Sequence, residues 1–201
     1  MYQVYTNESE RFLKKKRGID VKSIAVTGYK NFELGIFKKD ADEAVYIKET
    51  IKRHLLPLVE DGLEWVIISG QLGIELWAGD VVAELKADYP IKLAILEPFE
   101  KQSANWNEAN QLWASEVLEK ADYHAFITKR PYESPAQFAA RDGFIIDNTD
   151  GALLVYDLEK EGSPKFFYDR AIQAKEQSNY YIDCIDFYAL QEVVEDMNQT
   201  F

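Results

Sequence analysis

A chain of 201 residues with 47% apolar content is long enough to bury one full core and too apolar for wholesale disorder. No apolar run approaches the eighteen or so residues that span a bilayer, and no signal-peptide pattern is expected at the N-terminus. A net charge of −12 repels a polyphosphate backbone and so disfavours nucleic acid as a partner.

Residues 1 to 21 are polar apart from scattered side chains and hold the basic run Lys14 to Arg17, so they are expected to form a flexible extension. A single domain is expected over residues 22 to 201. Ser23 to Thr27 reads as a short buried strand closed by Gly28, and Ala44, Ile47, Ile51, Leu55 and Leu58 mark one face of a helix within about Lys39 to Glu60. The unit then repeats. Glu64 to Ser69 is a second strand closed by Gly70, and Ile74, Trp77, Val81 and Leu85 give the next helix. A third strand, Ile91 to Leu96, precedes a helix lined by Trp106, Ala109, Trp113 and Val117. Tyr123 to Thr128 and Gly151 to Tyr156 are further strands. Ser134-Pro135 and Ser163-Pro164 each pair a capping hydroxyl with a helix-starting proline. Asn179 to Met197 closes the chain as a strand and a helix. The one cysteine, Cys184, sits beside Ile182 and Ile185, where a buried thiol is expected; with no second cysteine there is no internal disulfide, which fits a cytoplasmic setting. Alternation of this kind predicts an α/β, Rossmann-like three-layer fold, a mostly parallel sheet flanked by helices.

In such sheets ligands bind at the carboxyl ends of the strands. The richest segment there is Ser69-Gly70-Gln71-Leu72-Gly73-Ile74-Glu75, where two glycines three apart leave backbone N–H groups uncovered at a helix start, a setting that binds phosphate. Glu75 in the first helical turn either complements the helix dipole or meets ligand. Thr27-Gly28-Tyr29 is a shorter turn at the equivalent place. Ser103, Asn105 and Trp106 follow the third strand, where Ser103 or Asn105 can also serve as a helix cap. Lys129-Arg130-Pro131-Tyr132 follows the fourth; Arg130 is either a phosphate clamp or a solvated charge. Tyr29, Trp106, Tyr132 and Tyr156 can stack on a base if they face the crevice. Asp147 to Asp150 reads as turn chemistry at the opposite end. Neither glycine turn matches G-x-G-x-x-G, and no phosphate-loop or G-x-S-x-G motif occurs. His54 and His124 pair with no thiol or carboxylate at recognisable spacing, so no metal site is expected.

Ile24 to Lys30, Phe32 to Phe37, Ser69 to Gly79, Gln102 to Asn110, Thr128 to Gln137 and Asp147 to Asp157 closely resemble the YpsA-like family of bacterial proteins, over about Lys22 to Asp196. That family belongs to the SLOG superfamily of Rossmann-like domains, and the resemblance implies a nucleotide-derived ligand. The turn from Ser69 to Glu75 is similar to the S-G-x-A-x-G-I-D turn of bacterial DNA-processing protein A, which implies a ligand role for Gly70, Gly73 and Glu75. The P-G-G-x-G-T-x-x-E motif of LOG-type phosphoribohydrolases is absent, so their activity is not implied.

Three functions compete on these grounds. The first is a cytosolic binding or sensing protein for a nucleotide derivative such as ADP-ribose, NAD or a signalling nucleotide. The second is an N-glycosidic hydrolase using Glu75, the only catalytic candidate. The third is a nucleic-acid-binding module, which the charge disfavours. No cofactor beyond such a nucleotide-derived ligand is expected.

Overall fold

The computed structural model describes residues 20–199. The expected extension therefore lies outside the described residues except for Asp20 and Val21, and Val21 packs against the core. Strands and helices alternate strictly: β1 (Ser23–Gly28), α1 (Asp42–Glu60), β2 (Trp65–Ile68), α2 (Ile74–Leu85), β3 (Lys92–Phe99), α3 (Glu108–Glu119), β4 (Tyr123–Thr128), α4 (Ala136–Asp147), β5 (Gly151–Val155), α5 (Lys165–Gln177), β6 (Tyr181–Ile185) and α6 (Phe187–Gln199). One 3-10 turn, Asn31–Leu34, follows β1.

The six strands form one sheet in the order β4-β3-β2-β1-β5-β6, and every neighbouring pair is parallel. Ile24 of β1 stands between Val66 of β2 and Gly151 of β5, which fixes the central register. Strands covered on both faces must be apolar on both. Accordingly β5 is buried throughout, whereas the edge strand β4 is half-exposed. From β1 to β4 the chain steps one way across the sheet, then returns to β5 and β6 on the other side of β1. Right-handed crossovers place α1, α2 and α3 on one face and α4 and α5 on the other. The helix contacts agree: α1 meets α2 and α6, α2 meets α3, and α4 meets α5. No helix among the described residues is long and apolar enough to cross a membrane.

Two local features fix this frame. The Asp150 carboxylate accepts hydrogen bonds from the N–H groups of Lys22 (2.9 Å) and Ser23 (2.8 Å) and from the Ser23 hydroxyl (3.0 Å), clamping the start of β1 to the start of β5. That is turn chemistry at the end of the sheet away from the crevice. Gly79 lets α3 approach α2, because a methyl group there would overlap the Val117 side chain.

Several boundaries differ from the sequence expectation. Helix α3 begins after Trp106: Asn107 caps it, its side chain accepting from the Asn110 N–H at 2.9 Å, so neither Ser103 nor Asn105 is the cap. Neither Ser134 nor Ser163 caps its helix through its hydroxyl. The Gln137 side chain takes that role at α4, accepting from the N–H groups of Glu133 (2.6 Å) and Ser134 (3.1 Å). Cys184 is exposed on the edge strand β6 rather than buried. Loss of solvation at the sheet edge and the carboxylates of Asp183, Asp186 and Asp157 push its thiol up to about 11.

Candidate functional site

Strand order reverses at β1, so α4 leans over β3 and β4 while α5 leans over β5 and β6. The gap between them, above the carboxyl ends of β1 and β2, is a cleft of about 640 Å³. Its floor comes from Thr27, Gly28, Gln71 and Glu75. Its walls come from the N-terminal halves of α4 and α5, with Phe138, Phe166 and Phe167 as the aromatic side chains. Lys30, Arg141 and Arg170 supply cations, and Glu75, Asp142 and Asp169 carboxylates.

Glu75 organises the floor. It is 4% exposed, and four donors converge on its carboxylate. Oε1 accepts from the Thr27 hydroxyl at 2.8 Å, and Oε2 from the Ser69 N–H (2.7 Å), the Ser69 hydroxyl (2.6 Å) and the Gln71 N–H (3.2 Å). Two backbone amides of the glycine turn, expected to hold a phosphate, thus hold the protein's own carboxylate. The network continues upward. The Ser69 hydroxyl accepts from Arg141 Nη1, and Arg141 Nε donates to Oδ1 of Asp142 at 2.7 Å, with Nη2 in ion-pair contact with the same oxygen at 2.7 Å. Burial raises the Asp142 carboxyl above its ordinary range and the charge of Glu75 adds to this, while Arg141 and Arg170 oppose it.

Gly73 has a packing task that its sequence context did not show. Its φ is +100°, and a Cβ there would stand 2.6 Å from the Tyr29 carbonyl oxygen. The neighbouring Ile74 N–H donates to that carbonyl at 3.2 Å. Gly73 therefore lets the β2 turn pack onto the β1 loop. Gly70, at φ +74°, borders a second, smaller cavity of about 210 Å³ with Glu97, Gln102, Ser103 and Trp106. Gln102 lines the smaller cavity and is tied to the turn: its amide donates to the carbonyls of Ser69 (3.0 Å) and Gly70 (3.1 Å) and accepts from the Gln71 side chain.

Of the twelve residues read from the sequence, Thr27, Gly28 and Glu75 line the large cleft, and Ser69 lies beneath it. Tyr29 cannot stack on a ligand. It is 1% exposed, stacked on Phe187, and its hydroxyl is tied to the backbone of Asp157 and Lys160. Tyr156 is buried beside it. Arg130 is exposed and pairs with Glu133 at 3.2 Å, away from the cleft. Tyr132 packs on Phe99 and on Phe138, behind the cleft wall. Asn105 is exposed and lines neither cavity. Both histidines have carboxylate partners that spacing did not reveal: His54 Nδ1 lies 2.9 Å from Asp183 and His124 Nε2 lies 2.8 Å from Glu97. Lys30, Arg141, Asp142, Phe166 and Arg170 were missed. One signal was available for Asp142, which falls between Phe138 and Ile145 on the inward stripe of α4, where a charge is anomalous unless it has a task.

A parallel α/β sheet with a built cleft at its switch point defines a Rossmann-like protein. Its sequence places it more narrowly: residues 24–190 match the YpsA family model, described as the YspA SLOG family, and the chain belongs to that family. A UPF0398 protein of Listeria monocytogenes serotype 4b is 99% identical over 181 residues, 90% of this chain and 100% of the relative. The UPF0398 protein YpsA of Bacillus subtilis is 49% identical over 177 residues, 88% of this chain and 98% of its own length. A UPF0398 protein of Bacillus cereus is 51% identical over 177 residues, 88% of this chain and 96% of its own.

Proposed function

We propose that the cleft between α4 and α5 binds a small nucleotide-derived molecule, and that the protein serves in the cytoplasm as a binding or sensing protein. The observation that carries this is an aromatic-lined cleft at the switch point in which three cations, Lys30, Arg141 and Arg170, stand among the carboxylates of Glu75, Asp142 and Asp169. Arg170 makes no ion pair or side-chain hydrogen bond among the described residues, so its guanidinium stands ready for a phosphate, whose oxygens match its donors. Phe138 and Phe166 offer aromatic faces for a base, and Phe166 is 71% exposed at the cleft. The phosphate site is thus moved from the glycine turn, whose amides Glu75 occupies, to the helix side of the cleft.

A second reading, hydrolysis of a glycosidic bond, gains one observation. Asp142 places beside Glu75, in the same cleft, a second carboxyl that the sequence did not reveal, as an acid–base pair requires.

Thermal unfolding of the purified chain with ADP-ribose, NAD, ADP and AMP separates these readings. A ligand present at a hundred times its Kd stabilises by about 2.7 kcal/mol, and Arg170→Ala should abolish the shift. Chromatography of the same mixtures should return the nucleotides intact; turnover lost in Asp142→Asn would favour hydrolysis instead.

A further inference from the structure

Asp142 is 4% exposed, yet only one of its oxygens is satisfied by the protein. The Arg141 hydrogen bond and ion-pair contact both go to Oδ1, and no hydrogen bond from the described residues reaches Oδ2. No buried side-chain nitrogen or oxygen among the described residues lacks a partner. Oδ2 therefore reaches open space, and the open space beside Asp142 is the cleft that it lines.

An acceptor held in a cleft selects for a ligand that brings a donor. A cationic donor is opposed by Arg141, in contact with Oδ1, and by Arg170, whose charge acts on the same carboxyl. A neutral hydroxyl meets no such opposition. It also donates and accepts, so it satisfies Oδ2 whether or not the carboxyl carries a proton. Glu75 adds to the pattern: its Oε1 accepts a single bond, from Thr27, and retains a lone pair at the floor of the same cleft.

Resting on the nucleotide reading above, we propose that Asp142 is a specificity-determining residue that accepts a sugar hydroxyl of the ligand, so that the cleft selects ribonucleotides over their 2′-deoxy counterparts. A site built to hydrogen-bond a hydroxyl rejects the analogue lacking it, because a desolvated polar group is then left unpaired.

Isothermal titration of the full chain with ADP and with 2′-deoxy-ADP tests this in the native protein, Asp142→Ala, Asp142→Asn and Arg170→Ala, each first shown to melt cooperatively. The native protein should prefer ADP by about tenfold or more, a difference of about 1.4 kcal/mol. Asp142→Ala should bring the two within about twofold by weakening ADP alone, and Asp142→Asn, which keeps an oxygen acceptor, should retain part of the preference. Arg170→Ala should weaken both nucleotides equally. Full discrimination in folded Asp142→Ala, or none in the native protein, overturns the role of Asp142 while leaving the nucleotide site in place. Failure of both nucleotides to bind the native protein at millimolar concentration overturns the site and this inference with it.

Discussion

Asp142 shows what a buried carboxyl costs its fold. Its carboxyl is raised above the ordinary value of 3.8, chiefly by burial, so its ionisation opposes folding. The penalty is absent below the unfolded value and fully present above the folded one. Asp142→Asn keeps an oxygen to accept from Arg141 and removes the penalty. Its unfolding midpoint should exceed that of the native protein at pH 7, and the gain should shrink as pH is lowered toward 4. Melting curves at several pH values check this; a variant less stable at pH 7 would show that the pair with Arg141 outweighs desolvation. Glu75 was legible in the sequence because a carboxylate after two glycines at a strand end is a local pattern. Asp142 lies two turns inside a helix, beyond the loops that the strand-end rule examines. The packing of Gly73 against the Tyr29 carbonyl was not legible, since that carbonyl is contributed by a different loop.

The elements themselves were largely legible, because buried parallel strands and one-sided helices leave period and length in the sequence. Helix starts were less so. Ser163-Pro164 has the local form of a cap, yet the Ser163 hydroxyl donates to Glu33 Oε2 (2.6 Å) and the Ser163 N–H to Glu33 Oε1 (2.7 Å). Glu33 also accepts from the Lys30 N–H at 2.7 Å, so one carboxylate ties the β1 loop to the entry of α5, both of which border the cleft. A partner 130 residues away is invisible to a local reading. Desolvation raises the Glu33 carboxyl, but the bonds from Ser163 and Lys30 together prevail and hold it below its ordinary 4.5. Its contribution is therefore present above 4.5 and lost as pH falls through the folded value. Glu33→Gln should lower the midpoint at pH 7, and the gap between the two proteins should close below about pH 4. A gap unchanged by pH would mean that the carboxylate charge plays no part in this tie.

At the scale of the whole molecule, the sheet order decides where ligand can sit. Reversal at β1 sets α4 and α5 on either flank of the β1 and β2 ends, and the chain lines that gap with three cations and three carboxylates. A net charge of −12 repels a long polyphosphate, whereas a small anion can meet the cations of the cleft alone. Hydrogen exchange in the presence and absence of saturating ADP-ribose tests this placement most directly. Protection is predicted in residues 27 to 30 and 69 to 75 and in the first turns of α4 and α5. Protection confined to residues 97 to 118 around the smaller cavity, or none at any concentration, would contradict it.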